Sequence, residues 1–258
     1  MSEFAPDGAW DTHLHILEPR RFPYKADRRY TPAPATVDDL LRSTPATNFL
    51  VVQASVENGR EGLKYQLRRR GDIPGRIFRG EIEIEPDEQL SDSELHELHD
   101  LGVRAIRLHL GIRPNAQNGP EKVKAEIIRL ARYSKSMNWI ISTMCPLSSW
   151  LAIGDWLISS PEAQSVKVIM EHTAFIDTMR DSTSYPELDA LLRLLKQGQQ
   201  LFVKICGINR ASTEELNSIP PGVLTVIEAI PHRVFWGSDW PHTSSEGFGL
   251  WSRRNSAA

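Results

Sequence analysis

With 258 residues, 40% of them hydrophobic, the chain can bury the core of one large α/β domain, and no linker divides it, so a single domain over residues 1–258 is expected. Its formal net charge of -3 at pH 7 gives no general electrostatic drive toward nucleic acid or an anionic membrane surface, so the expected partner is a small molecule. Cys145 and Cys206 are too few for a disulfide framework and read as buried structural thiols; with no basic leader and no apolar run near the ~18 residues needed to span a bilayer, a cytoplasmic protein is expected.

Short apolar, β-branched runs alternate with longer amphipathic stretches along the chain. The predicted strands are Ala9–Ile16, Asn48–Ser55, Ile77–Glu85, Val103–Leu110, Trp139–Cys145, Val166–Glu171, Gln200–Cys206 and Arg233–Ser238. The predicted helices between them are Glu61–Arg70, Ser91–Leu101, Pro120–Met137, Leu147–Ser159, Pro186–Gln197 and Thr213–Ala229. Ser91 three residues before Glu94 predicts a capping box, and Thr213 before two glutamates predicts another helix start. Eight βα units of this size predict a (β/α)8 TIM barrel, whose site lies at the C-terminal ends of the strands. The rival doubly wound sheet would show a glycine-rich fingerprint after an early strand, and the chain has none. Residues 243–258 are too rich in Ser, Gly and Arg for a long closing helix, so the last helix is expected to be abbreviated or missing.

The chemistry-bearing residues gather at predicted strand ends. On the first strand Asp11, His13 and His15 share one side, while Trp10, Leu14 and Ile16 are expected to pack on the other. Asp239 ends the eighth strand, where it would act as a general base toward water or as a metal ligand, and His172 follows the sixth strand as a candidate fourth pole. His13, His15, His172 and Asp239 make a set of N and O ligands suited to one Zn²⁺ or Mn²⁺ ion. The fifth strand ends in Ser142-Thr143-Met144-Cys145, with neither His nor Lys, which argues against a two-metal centre.

On the fourth strand Arg107 and His109 face inward. An inward Arg needs an anion, and both a substrate carboxylate and an internal acid meet that need. Lys204 and Arg210, at and beyond the seventh strand, carry the same alternatives of anion binding or a structural or solvated charge. Gln53 and Ser55 share a face at the end of the second strand and are candidates for bonds to substrate oxygens. Glu81, Glu83 and Glu85 alternate along the third strand, where pairing with inward Arg or Lys is expected; a Glu83 turned into the pocket would discourage a highly anionic substrate. His242 would orient Asp239 or line the pocket, whereas His96, His99 and His232 lie on predicted surfaces and receive no role.

With these residues in order, the chain resembles the amidohydrolase superfamily, in the amidohydrolase-2 branch that contains pyrone-dicarboxylate lactonases and sugar-lactone hydrolases. The resemblance is carried by Asp11-Thr12-His13-Leu14-His15, Val51-Val52-Gln53-Ala54-Ser55, Gly102-Val103-Arg104-Ala105-Ile106-Arg107, Glu171-His172 and Trp236-Gly237-Ser238-Asp239-Trp240-Pro241-His242. It implies a hydrolase that opens a cyclic ester on an aromatic, pyrone-like or other unsaturated ring. Asp239 would activate water, the three histidines would polarise the carbonyl, and Arg107 would hold a substrate anion. Members of the branch differ over metal, so the resemblance implies either one divalent ion or metal-independent catalysis. Two alternatives stand beside it: a non-oxidative decarboxylase of phenolic or enolic acids, because the same mouth can bind a carboxylate and protonate a ring carbon, and a catalytically silent binding protein on the same barrel, for which the short tail argues and against which the intact His13, His15, His172 and Asp239 set argues. The chain departs from the branch at Thr143, His109, the loop Val56-Glu57-Asn58-Gly59 and the short tail, the last of which suggests a homodimer covering the gap.

Overall fold

The computed structural model describes residues 6–28, 30–111, 119–177, 180, 182–208 and 219–242. One sheet carries eight strands in chain order: β1 Trp10–Leu14, β2 Asn48–Val52, β3 Ile77–Glu83, β4 Val103–His109, β5 Ile140–Met144, β6 Val168–Met170, β7 Leu201–Cys206 and β8 Val234–Gly237. The pairings β1 to β2, β2 to β3, β3 to β4, β5 to β6 and β6 to β7 are parallel. Between the strands lie α1 Val37–Ser43, α2 Glu61–Arg68, α3 Asp92–Leu101, α4 Pro120–Met137, α5 Leu147–Ala152, α6 Gly154–Ser159, α7 Pro161–Gln164, α8 Pro186–Gln197 and α9 Pro221–Ala229. This is the (β/α)8 barrel order that the alternation of strands and helices predicts. No described helix is long and apolar enough to cross a membrane.

Two compact units divide the chain, one running to Arg107 and resuming at Trp236, the other running from Leu108 to Phe235. Both divisions fall inside strands, β4 and β8, rather than in a linker. In the first unit Phe49 and Phe78 are buried with ring centroids 5.1 Å apart, and Leu40, Leu63, Leu67, Leu95 and Leu98 of α1, α2 and α3 are buried with them. The Glu18 to Ala35 loop is tied at its base, where Leu17 and Ala35 exchange backbone hydrogen bonds of 2.7 and 2.8 Å. Leu17 and Ala35 then cluster with Ala54 and Val56 from beyond β2, against Tyr24, Tyr30 and Trp240. In the second unit, Leu188, Leu191, Leu194 and Leu195 place a buried stripe on α8 at the three- and four-residue spacing of an amphipathic helix.

Local signals explain several helix boundaries. Ser91 and Glu94 form the expected capping box of α3, and Gly102 ends that helix at a φ of 113°, a conformation glycine adopts without steric cost. Pro120 opens α4 and left-handed Asn138 closes it. Other boundaries differ from expectation. The stretch Leu147–Ser159 is two helices broken at Ile153, and α9 begins at the Pro220-Pro221 pair, proline being favoured in the first helical turn; Thr213 lies outside the described residues. Helix α1 is unforeseen and is nucleated by a reciprocal Thr36 and Asp39 capping box. Trp10, expected to pack beneath β1, is 39% exposed, while Leu14 and Ile16 are buried as anticipated.

Candidate active site

The first unit brings His13, His15 and Asp239 together. Asp239 Oδ1 lies 3.6 Å from His13 Nε2 and 3.9 Å from His15 Nε2, and all three side chains are almost fully buried. The two imidazoles meet edge to face with centroids 5.3 Å apart. A carbonyl oxygen only accepts, so the 2.8 Å contact of His15 Nδ1 with Val52 O makes Nδ1 the protonated nitrogen. In neutral His15, therefore, a lone pair on Nε2 faces the Asp239 carboxylate. Two acceptors are made compatible there by a proton or a cation between them.

Backbone contacts hold this arrangement. Asp239 N donates to His13 O at 2.7 Å and His15 N donates to Trp240 O at 2.8 Å, stitching the segment after β8 to β1. Asp11, fully buried, accepts at Oδ1 from Ser238 N (2.9 Å) and His13 N (3.2 Å). Burial raises the Asp11 carboxyl above the usual range, against the hydrogen bonds from Ser238 and His13 that lower it. Gly237 allows the close approach, because a Cβ there would lie 2.5 Å from His13 Cβ and 2.7 Å from His13 N. Asp239 itself sits in the left-handed region, at a φ of 63°.

A second polar group in the same unit surrounds Arg107. Its Nη1 donates to Gln53 O at 2.7 Å and lies 3.6 Å from Glu83 Oε1. Glu83 and Arg107 are register partners on β3 and β4. Of the two partners the sequence left open for Arg107, the structure shows the internal acid. The Gln53 side chain is committed to backbone, donating to Gly59 O at 3.0 Å and accepting from Glu83 N at 2.9 Å. Ser55 is part-buried beyond β2, and Lys25 pairs with Glu85 at 3.0 Å. Glu57, which received no role from sequence, is buried and accepts from Ala54 N at 2.5 Å. Burial pushes its carboxyl up to about 8; Glu83 adds to the rise, and the Ala54 hydrogen bond, Arg107 and Lys25 oppose it. His242 is exposed, at a φ of 62°, and donates its backbone N–H to Asp239 O at 2.8 Å.

The second unit carries the remaining candidates. His172 Nδ1 contacts Cys206 O at 3.2 Å and Cys206 Sγ at 3.5 Å. His172, Thr173, Ala174 and Phe175 form a turn with φ between 50° and 56°. Lys204 is fully buried, with Nζ 3.1 Å from Glu171 Oε1 and 3.2 Å from Ser142 Oγ, and Ser142 also donates to Glu171 at 2.9 Å. Lys204 thus occupies the internal ion pair that the sequence offered as the alternative to anion binding. Thr143 is fully buried, and its hydroxyl has no hydrogen-bond partner among the described residues. His109 is part-buried at the end of β4, and Arg210 lies outside the described residues. Neither cysteine is in a disulfide and both are buried, and burial pushes the Cys145 thiol up, which suits a structural rather than a nucleophilic thiol there.

The chain is a (β/α)8-barrel protein and belongs to the amidohydrolase family, whose model, described as Amidohydrolase, matches residues 10–249. Among curated relatives it is 27% identical over 245 residues to a 4-sulfomuconolactone hydrolase of Rhizobium radiobacter, covering 92% of this chain and 77% of that protein. It is 26% identical over 251 residues to a 2-pyrone-4,6-dicarboxylate hydrolase of Comamonas testosteroni, covering 92% and 78%. A crystal structure of an Agrobacterium tumefaciens protein superposes with a TM-score of 0.71 at 18% identity, over 93% of this chain and 84% of that one, and shares the fold.

Proposed function

We propose that this protein is a hydrolase that opens a cyclic ester of a small, unsaturated molecule. The observation that carries the reading is the convergence of His13 and His15 on the carboxylate of Asp239. It is supported by membership of the amidohydrolase family and by two relatives that are both named as hydrolases of such rings.

In this reading a water molecule beside Asp239 attacks the ester carbonyl while Oδ1 or Oδ2 takes its proton. The negative charge that develops on the carbonyl oxygen is met by an imidazole N–H. For His15 that N–H is Nε2 of the imidazolium, which lies 3.9 Å from Asp239 Oδ1. When the tetrahedral intermediate collapses, the bond from the carbonyl carbon to the ring oxygen breaks. Asp239 returns its proton to that oxygen and the product is a hydroxy acid.

The donor set also fits one divalent ion. His13, His15 and Asp239 each offer one ligand atom, all within 4.8 Å of one another, and His15 Nε2 is in the ligating tautomer. The family resemblance adds His172 as a further candidate ligand. Such an ion would supply Lewis acidity toward the carbonyl and acidify a bound water.

Ring opening of a lactone panel, followed by pH-stat, tests the reading. Wild type is expected to turn over at least one lactone, and Asp239→Asn to lose about 10² to 10⁴ in kcat. A folded Asp239→Asn protein with full activity overturns the assignment. Elemental analysis of wild type beside His13→Ala distinguishes the metal-bound from the metal-free form.

A further inference from the structure

At the ends of the first unit's strands, two neighbouring carbonyls of one segment hold two different side chains. Val52 O accepts from His15 Nδ1 at 2.8 Å and Gln53 O accepts from Arg107 Nη1 at 2.7 Å. Arg107 is therefore fixed to the same segment as the imidazole that faces Asp239. It would be the natural grip for an acidic substituent, since a guanidinium matches a carboxylate with two parallel hydrogen bonds.

That grip is already engaged. Glu83 is the cross-strand neighbour of Arg107 in register, and its Oε1 lies 3.6 Å from Nη1. The backbone of Glu83 is held by Gln53, whose side-chain oxygen takes the Glu83 N–H at 2.9 Å while its amide donates to Gly59 O. Both members of the pair are withdrawn from solvent, Arg107 at 6% and Glu83 at 14% exposure. Opposite charges in register and largely out of water interact far more strongly than a surface pair.

We propose that Glu83 is a specificity-determining residue: by occupying Arg107, it restricts the site to cyclic esters that carry no acid group on the edge facing β4. This rests on the lactone-hydrolase reading above and names its substrate class. A substrate carboxylate would have to displace Glu83 or lie beside it. At an effective dielectric constant of ~20, like charges about 5 Å apart disfavour such binding by roughly a hundredfold. The neighbourhood already resists negative charge at Glu57, which keeps its proton to about pH 8 through burial, with Glu83 adding to the effect.

The test compares kcat/KM for an uncharged lactone, dihydrocoumarin, with that for a ring-carboxylated dihydrocoumarin and for 2-pyrone-4,6-dicarboxylate, in wild type and Glu83→Gln. Wild type is expected to prefer the uncharged ring, and Glu83→Gln to raise the carboxylated-to-uncharged ratio by about tenfold or more. A wild type that prefers the carboxylated rings, or an unchanged ratio in a folded Glu83→Gln protein, overturns the proposal. Should the variant fail to fold, the wild-type preference decides alone. If neither protein opens any ring, the lactone-hydrolase reading fails, and calorimetry with the carboxylated ring still judges Glu83. Binding gained in Glu83→Gln supports its role, and tight binding to wild type refutes it.

Discussion

Asp11 is tied to Ser238 across the joint between β1 and the segment after β8, its Oδ1 accepting the Ser238 N–H at 2.9 Å. The same oxygen takes the His13 N–H, so one buried acid fixes the backbone of an imidazole and that of the residue preceding Asp239. Asp11→Ala should leave these N–H groups poorly satisfied and cost about 1 to 3 kcal/mol in urea unfolding. Because Asp239 would lose its alignment, kcat should fall about tenfold or more with KM little changed. Asp11→Asn keeps an acceptor and should restore most of the stability. An Asp11→Ala protein with normal kcat would show that Asp239 is positioned by other contacts.

Glu57 makes stability depend on pH. Its carboxyl titrates at about 8 in the folded protein, because of burial, against an ordinary value of 4.5. The folded state therefore binds the proton more tightly than the unfolded state. The stability this contributes is fully present below pH 4.5 and is lost as pH rises through about 8. Glu57→Gln keeps an acceptor for Ala54 N and cannot ionise. Relative to this variant, wild type should lose roughly 2 to 5 kcal/mol between pH 5 and 9, read as diverging urea midpoints. Parallel midpoints would assign the proton to a different group.

Lys204 and Glu171 form an ion pair with both side chains fully withdrawn from solvent. Lys204→Met should strand the Glu171 charge and cost about 3 to 5 kcal/mol. Adding Glu171→Gln removes that charge, and the double variant should recover much of the loss in thermal unfolding. Equal stability of single and double variants would mean that Glu171 is not charged in the native protein.

Much of this architecture is legible along the chain. Eight apolar runs alternating with amphipathic stretches are enough for the barrel order, and the D-x-H-x-H and G-S-D motifs place His13, His15 and Asp239 at strand ends. Seven-residue α1 is too short for its periodicity to show, and its capping box uses Asp39 where Glu or Gln is the usual signal. Asp11 could have been found, since an Asp side chain bonding the N–H two residues on is a recognised local pattern. Its link to Ser238, 227 residues away, is a tertiary fact. The same holds for Arg107. Its residue type demands an anion, but the choice of Glu83 depends on the register of β3 and β4. Glu57 stands in a polar loop sequence, and its burial arises only as that loop folds back.

The adjacent carbonyls of Val52 and Gln53 have a consequence for engineering. His15 and Arg107 hang from two successive peptide units, and Glu57 anchors the second of them through Ala54 N. Any substitution that shifts this short segment will change turnover and selectivity together, and variants chosen there for a new substrate will tend to be slow ones. Glu83 approaches Arg107 from a separate strand. Selectivity can therefore be retuned from β3 while the segment that orients His15 is left untouched.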